Sequence, residues 1–109
     1  MVNIENLNLN EKNKKILINY KSYLLTIKHL SDNSITSYVL DIIKYLEKLN
    51  KNPDRITKED IINYLEYLTD KTYSIYSIER KISSIKNFHN FLYKEYNVTD
   101  ISETIEHPR

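Results

Sequence analysis

The chain has 109 residues and a mass of 13.1 kDa, the size of one compact domain, with 40% hydrophobic and 28% charged residues. That balance can bury a core and cover it, which excludes the disordered, collagen-like and disulfide-scaffold classes. There is no Gly, no Cys and no Trp, but there are ten Tyr, and 16 Lys and Arg against 15 Asp and Glu leave a formal charge of only +1.

The first predicted element runs from about Glu11 to Lys28, where Ile16/Leu17, Tyr20, Leu24 and Ile27 recur at the three- and four-residue steps of an amphipathic helix. The second starts near Ser31 or Ser34 and runs to about Asn50. Its apolar stripe is Ile35, Tyr38/Val39, Ile42, Tyr45/Leu46 and Leu49, and the turn-forming Asn50-Lys51-Asn52-Pro53-Asp54 stops it. Thr57 followed three residues later by Asp60 resembles a capping box and announces a third helix, with Ile61, Leu65 and Leu68 inward. The fourth starts after Ser74 and reaches about Tyr96, with Ile75, Ile78, Ile82, Ile85, Phe88/His89 and Leu92 on its buried side. A short last turn, capped by Asp100 with Glu103 three residues on, follows before Pro108. No strand alternation persists, so the expected class is all-α, with short loops joining neighbouring helices.

Charge is unevenly spread. Residues 11–30 hold five Lys against one Glu, a net of +4, and residues 74–96 hold a net of +2, while every other segment is negative. Lys14, Lys21 and Lys28 are spaced seven apart on one side of the first helix. On the fourth, Tyr76, Arg80, Ser83, Asn87, Asn90 and Lys94 form one polar stripe. Arg and Asn match the guanine and adenine edges of a major groove, and hydroxyls and Lys suit phosphates. The second helix adds Ser34, Thr36 and Ser37 in its first turns, where free N–H groups favour phosphate oxygens, and then the like-charged pair Lys44 and Lys48, with Asp41 to relieve it. A merely solvated face accounts for each stripe as well, and both readings stand on the pattern alone.

Catalysis finds little support. His29, His89 and His107 are far apart in sequence and stand in no metal-binding spacing. His89 reads as a core-edge residue and His29 as a helix-end contact. Without Gly there is no Walker loop or dinucleotide fingerprint, and without Cys no disulfide or thiolate nucleophile. No metal and no cofactor is expected. The lack of Cys suits a reducing compartment, and with no signal-peptide pattern and no long apolar run the expected location is cytoplasmic.

Three blocks carry a resemblance. Leu30-Ser31-Asp32-Asn33-Ser34-Ile35-Thr36-Ser37-Tyr38 with Asp41-Ile42 and Tyr45-Leu46, then Ile56-Thr57-Lys58-Glu59-Asp60-Ile61, then Ser74 to Leu92 resemble, in order and spacing, the N-terminal core-binding, SAM-like domain of tyrosine recombinases of the Xer and phage-integrase type. His107-Pro108-Arg109 resembles the step leading into that family's catalytic domain. Departures include Ser34 for the usual Thr, Lys86 for the common Arg, His89 for the frequent Tyr, and Lys71-Thr72-Tyr73 where a Gly often stands.

The resemblance implies a four-to-five-helix orthogonal bundle over residues 11–105, with a flexible segment at 1–10 and the start of a linker at 106–109. It implies one half of a clamp on duplex recombination-site DNA, in a parent that tetramerises on paired sites, the isolated domain being monomeric. The family's catalytic set has no counterpart here, since no H-x-x-R occurs, so no Tyr is named a nucleophile and the chain is not expected to be an enzyme. Base-edge contacts are expected from Arg80, Asn87 and Asn90, and phosphate contacts from Lys14, Lys21, Ser34, Thr36, Ser37, Lys44, Lys81 and Lys86. No membrane and no small-molecule substrate is expected. A stand-alone DNA-binding accessory protein and a helical protein–protein adaptor are the alternatives.

Overall fold

The computed structural model describes residues 4–71 and 73–106. Thr72 and the His107-Pro108-Arg109 step lie outside the described residues. Those residues form four α-helices, α1 (Glu11–Thr26), α2 (Asp32–Leu49), α3 (Lys58–Asp70) and α4 (Ile75–Tyr96), with short 3-10 turns at Ile4–Asn6 and Pro53–Arg55 and no strand. The chain divides into two compact units, the first ending at Pro53 and the second beginning at Asp54.

In the first unit, α1 packs on α2 and on the Ile4–Asn6 turn, where Ile4 is buried within the segment expected to be flexible. The Asn10 side chain caps α1 by accepting from the Asn13 N–H at 2.8 Å, and its amide donates to Asn52 Oδ1 at 3.0 Å. Asn13 itself donates to the Lys51 carbonyl at 3.1 Å, so the start of α1 is fastened to the turn after α2. Ser31 caps α2, as one of the two expected candidates, by accepting from the Ser34 N–H. The shared core holds Leu17, Tyr20, Leu24, Ile42, Tyr45 and Leu46, all without solvent exposure. Tyr20 and Tyr45 fill it where a Trp-free, Phe-poor chain needs large rings.

In the second unit, α3 packs on α4. Thr57 and Asp60 form the complete reciprocal capping box, at 2.9 and 3.1 Å. Ile61 and Leu68 are buried as expected, Leu65 is half-buried, and Tyr64 takes a core place the apolar spacing had not given it. Around α4 the core is Ile78, Ile82, Ile85, Phe88, Phe91 and Leu92. The expected last turn forms at residues 101–104 as a turn rather than a helix. Asp100 caps it by accepting from the Ser102 N–H and hydroxyl, at 2.9 and 2.6 Å, and no bond to Glu103 is part of that cap.

Helices without glycine must end on something else. A left-handed residue at the C-terminus is the common solution, and Gly reaches it at no steric cost. Here His29, Asn50 and Asn97 adopt φ of 52°, 51° and 56°, and each follows the end of an α-helix. Asn tolerates this region through its short polar side chain, whereas His29 carries the steric cost of a Cβ. His29→Gly is therefore expected to raise stability by about 0.5–1 kcal/mol, read as a higher urea midpoint, and more than Asn50→Gly does. An unchanged or lower midpoint contradicts it.

Candidate nucleic-acid interface

The α4 stripe stands where its spacing placed it. At about 100° per residue, Tyr76, Arg80, Ser83, Asn87, Asn90 and Lys94 fall within about 80° of arc. Tyr76 is 80% exposed, Arg80 and Lys94 are exposed, and Ser83, Asn87 and Asn90 are half-buried. The buried side of the helix is the Ile and Phe set, so the polar face is turned away from the core by the same periodicity that builds it. Ser74 fixes where the stripe begins, accepting from the Ser77 N–H at 3.2 Å and donating its hydroxyl to Ser77 Oγ at 3.1 Å. Ser31 and Ser34 make the same arrangement at the start of α2. Base-edge groups and a phosphate-suited cation are thus presented along one helix face, in the form a major groove admits.

Two of the lysines expected on phosphates are used inside the second unit. Lys81 is only 5% exposed, and its ammonium lies 5.1 Å from the centre of the Tyr73 ring, a cation–π contact. It sits roughly 100° around the helix from its stripe neighbour Arg80, which carries it off the polar face. Lys86 is half-buried and donates to the carbonyls of Ser102 and Glu103, at 3.2 and 3.3 Å, and to that of Ile105. A long stem allows a lysine at the edge of a stripe to curl onto a neighbouring segment, and helical spacing alone does not reveal that.

In the first unit, Ser34, Thr36 and Ser37 are half-buried along the first turns of α2, and Lys44 and Lys48 are exposed farther on. Asp41 is buried in the core of the first unit, and its charge joins burial, the larger cause, in pushing the Tyr20 hydroxyl well above its ordinary range. On α1, Lys14 and Lys21 are half-buried, and Lys14 pairs with Glu11 at 3.7 Å across one turn. Lys28 lies beyond the end of α1, so the seven-residue lysine series has two helical members instead of three.

His89 is buried on the core side of α4, its ring edge-on to Phe88 at 5.6 Å. Burial pushes the imidazole down to about 4, and the nearby Asp100 carboxylate opposes that shift without overcoming it. It is a structural histidine. Among the described residues no group of three or more His, Asp or Glu gathers to hold a metal, and no helix is long and apolar enough to cross a membrane.

Comparison with known proteins falls on the same helices. The family model described as phage integrase, N-terminal SAM-like domain, matches residues 17–96, from within α1 to the last residue of α4. The tyrosine recombinase XerD of Oceanobacillus iheyensis is 37% identical over 93 residues, 80% of this chain and 31% of that protein. XerD of Rickettsia bellii is 43% identical over 75 residues, 66% of this chain and 25% of that protein. The tyrosine recombinase XerC of Pediococcus pentosaceus is 30% identical over 80 residues, 69% and 27% of the two chains. The chain thus spans about a quarter to a third of the curated relatives it matches. No solved structure matches it.

Proposed function

Because the chain belongs to the phage integrase N-terminal SAM-like domain family of the tyrosine recombinases, we propose that it is a non-catalytic DNA-binding domain that grips duplex recombination-site DNA. The carrying observation is the α4 face, where Arg80, Asn87 and Asn90 are presented together between exposed Tyr76 and Lys94. Arg80 is the bidentate reader of guanine in this proposal, and Asn87 and Asn90 address adenine or adjacent edges. Phosphates are met by Lys94 and, in the first unit, by Ser34, Thr36, Ser37, Lys44, Lys14 and Lys21. Lys81 and Lys86 drop out, since burial and three carbonyl acceptors occupy them. Residues 11–105 are the working domain in this proposal, located in the cytoplasm. The isolated chain is a monomer in this proposal, and a longer protein that carries the domain assembles into a tetramer on paired sites.

DNA titration of the chain at several salt concentrations tests the proposal. Arg80→Ala is expected to cost about 1–3 kcal/mol on the cognate site and much less on random duplex. Lys94→Ala should weaken binding to every sequence and lower the salt slope by about one unit. Equal affinity of the wild type and an Arg80→Ala/Asn87→Ala/Asn90→Ala variant overturns the assignment of this face.

A protein–protein adaptor has one observation in its favour. A groove of about 730 Å³ with Ile62, Leu65, Ile78, Ile82 and Ile105 along it opens in the second unit. An adaptor would show no salt-dependent DNA affinity, so the same titration separates the two.

A further inference from the structure

The geometry around Lys86 points to a role that its place in a basic helix conceals. Three backbone carbonyls from one short segment, those of Ser102, Glu103 and Ile105, converge on one ammonium group. An ammonium has three N–H donors and no acceptor, so the three carbonyls can use all of them. The segment is organised to offer these carbonyls. Asp100 caps it through the Ser102 N–H and hydroxyl, the Ile105 N–H donates to the Ser102 carbonyl at 3.0 Å, and Ser102 and Ile105 are both buried. Lys86 lies in the same stretch of α4 as Ser83, Asn87 and Asn90 of the polar stripe.

We propose that Lys86 is a positioning residue, a latch that fixes the course of residues 100–106 against the very turns of α4 that face DNA. This rests on the DNA-binding role of α4 for its meaning, but not for its geometry. The latch needs a compact ammonium with donors that diverge. A guanidinium presents its donors in a flat fork and cannot aim them at three carbonyls gathered around one point. Arginine is therefore not an equivalent here, although it also keeps the charge.

The experiment uses the 109-residue chain with Lys86→Met, which keeps the stem and removes the ammonium, and with Lys86→Arg. Two measurements are made on each: amide hydrogen exchange by NMR, and DNA titration at several salt concentrations. Charge-assisted bonds of this kind hold a local opening shut by roughly 10- to 100-fold in population. In Lys86→Met the Ser102 and Ile105 amides are expected to exchange about 10- to 100-fold faster, while the Ile85 and Phe88 amides within α4 stay as slow as before. The salt slope for DNA should not change. Lys86→Arg should fall between the two, and it carries the comparison if the methionine variant does not fold.

A salt slope lower by about one unit with unchanged exchange would show that Lys86 contacts phosphate, and would overturn the latch. Faster exchange along all of α4 would overturn it too, by making Lys86 a general support of the fold. If the wild type does not bind DNA, the exchange data still decide the latch, and only the DNA-binding role of α4 falls.

Discussion

Phe88→Ala is expected to lower the stability of the chain by about 3–5 kcal/mol, the largest effect of any single truncation proposed here. The ring has no solvent exposure and touches two others, edge-on to His89 at 5.6 Å and stacked with Phe91 at 6.2 Å. Removing it forfeits the burial of the ring and leaves a cavity between side chains that are held by α4 and cannot all close over it. Small domains have only about 5–15 kcal/mol in total, so the loss takes roughly a fifth of the margin or more. At a urea dependence of about 1–3 kcal/mol per molar, the midpoint should fall by roughly 2 M. A fall under about 0.5 M would mean that Phe88 is not a core anchor. The polar face of α4 should keep its register in the folded fraction, because the caps at Ser74 and Asn97 that place α4 are untouched.

The second large effect is acid lability. His89 is held neutral by burial, with its imidazole down at about 4 against an ordinary value of 6.5. Between these two values the unfolded chain binds a proton that the folded chain refuses, so stability rises with pH across that window. Its contribution is whole above about pH 6.5 and is lost as the pH falls toward 4, for a total of about 3 kcal/mol. Denaturation midpoints taken from pH 7 to pH 4 measure it, alongside His89→Leu, which removes the titrating group and keeps an apolar side chain of similar bulk. Carboxylates titrate in both proteins below about pH 5, so the difference between the two curves isolates the imidazole. Parallel curves would show that His89 is protonated as easily in the fold as out of it.

Much of this architecture is legible in the sequence, and the reason is range. Helix starts depend on contacts three residues apart, and Ser31, Thr57 and Ser74 each accept from the N–H three positions on, where the pattern placed a start. The α4 stripe was equally readable, because the Ile and Phe period that buries one side decides what faces outward on the other. What was not readable depends on tertiary partners. Lys81 and Lys86 have the composition of surface residues, and it takes tertiary partners, Tyr73 beside Lys81 and the three carbonyls around Lys86, to draw their ammonium groups inward. Asp41 stands three residues before Lys44 as a surface acid would, and that spacing does not mark its burial in the core of the first unit. The α1 pattern runs two residues past the helix end at Thr26, since His29 is not a residue whose presence signals a left-handed turn.

The tyrosines have an optical consequence. With no Trp in the chain, near-ultraviolet absorption and fluorescence belong to Tyr almost entirely. Tyr20 and Tyr45 are sealed in the core of the first unit, while Tyr76, 80% exposed, stands at the head of the α4 face. One intrinsic chromophore therefore reports from two kinds of place. Quenching by small solutes reaches Tyr76 while the chain is folded and reaches Tyr20 only when it opens. Because burial holds the Tyr20 hydroxyl protonated above its ordinary range, the red-shifted absorption of its phenolate should appear in alkali together with unfolding. Loss of structure and occupancy of the surface can then be followed in the same cuvette without a dye or an added label.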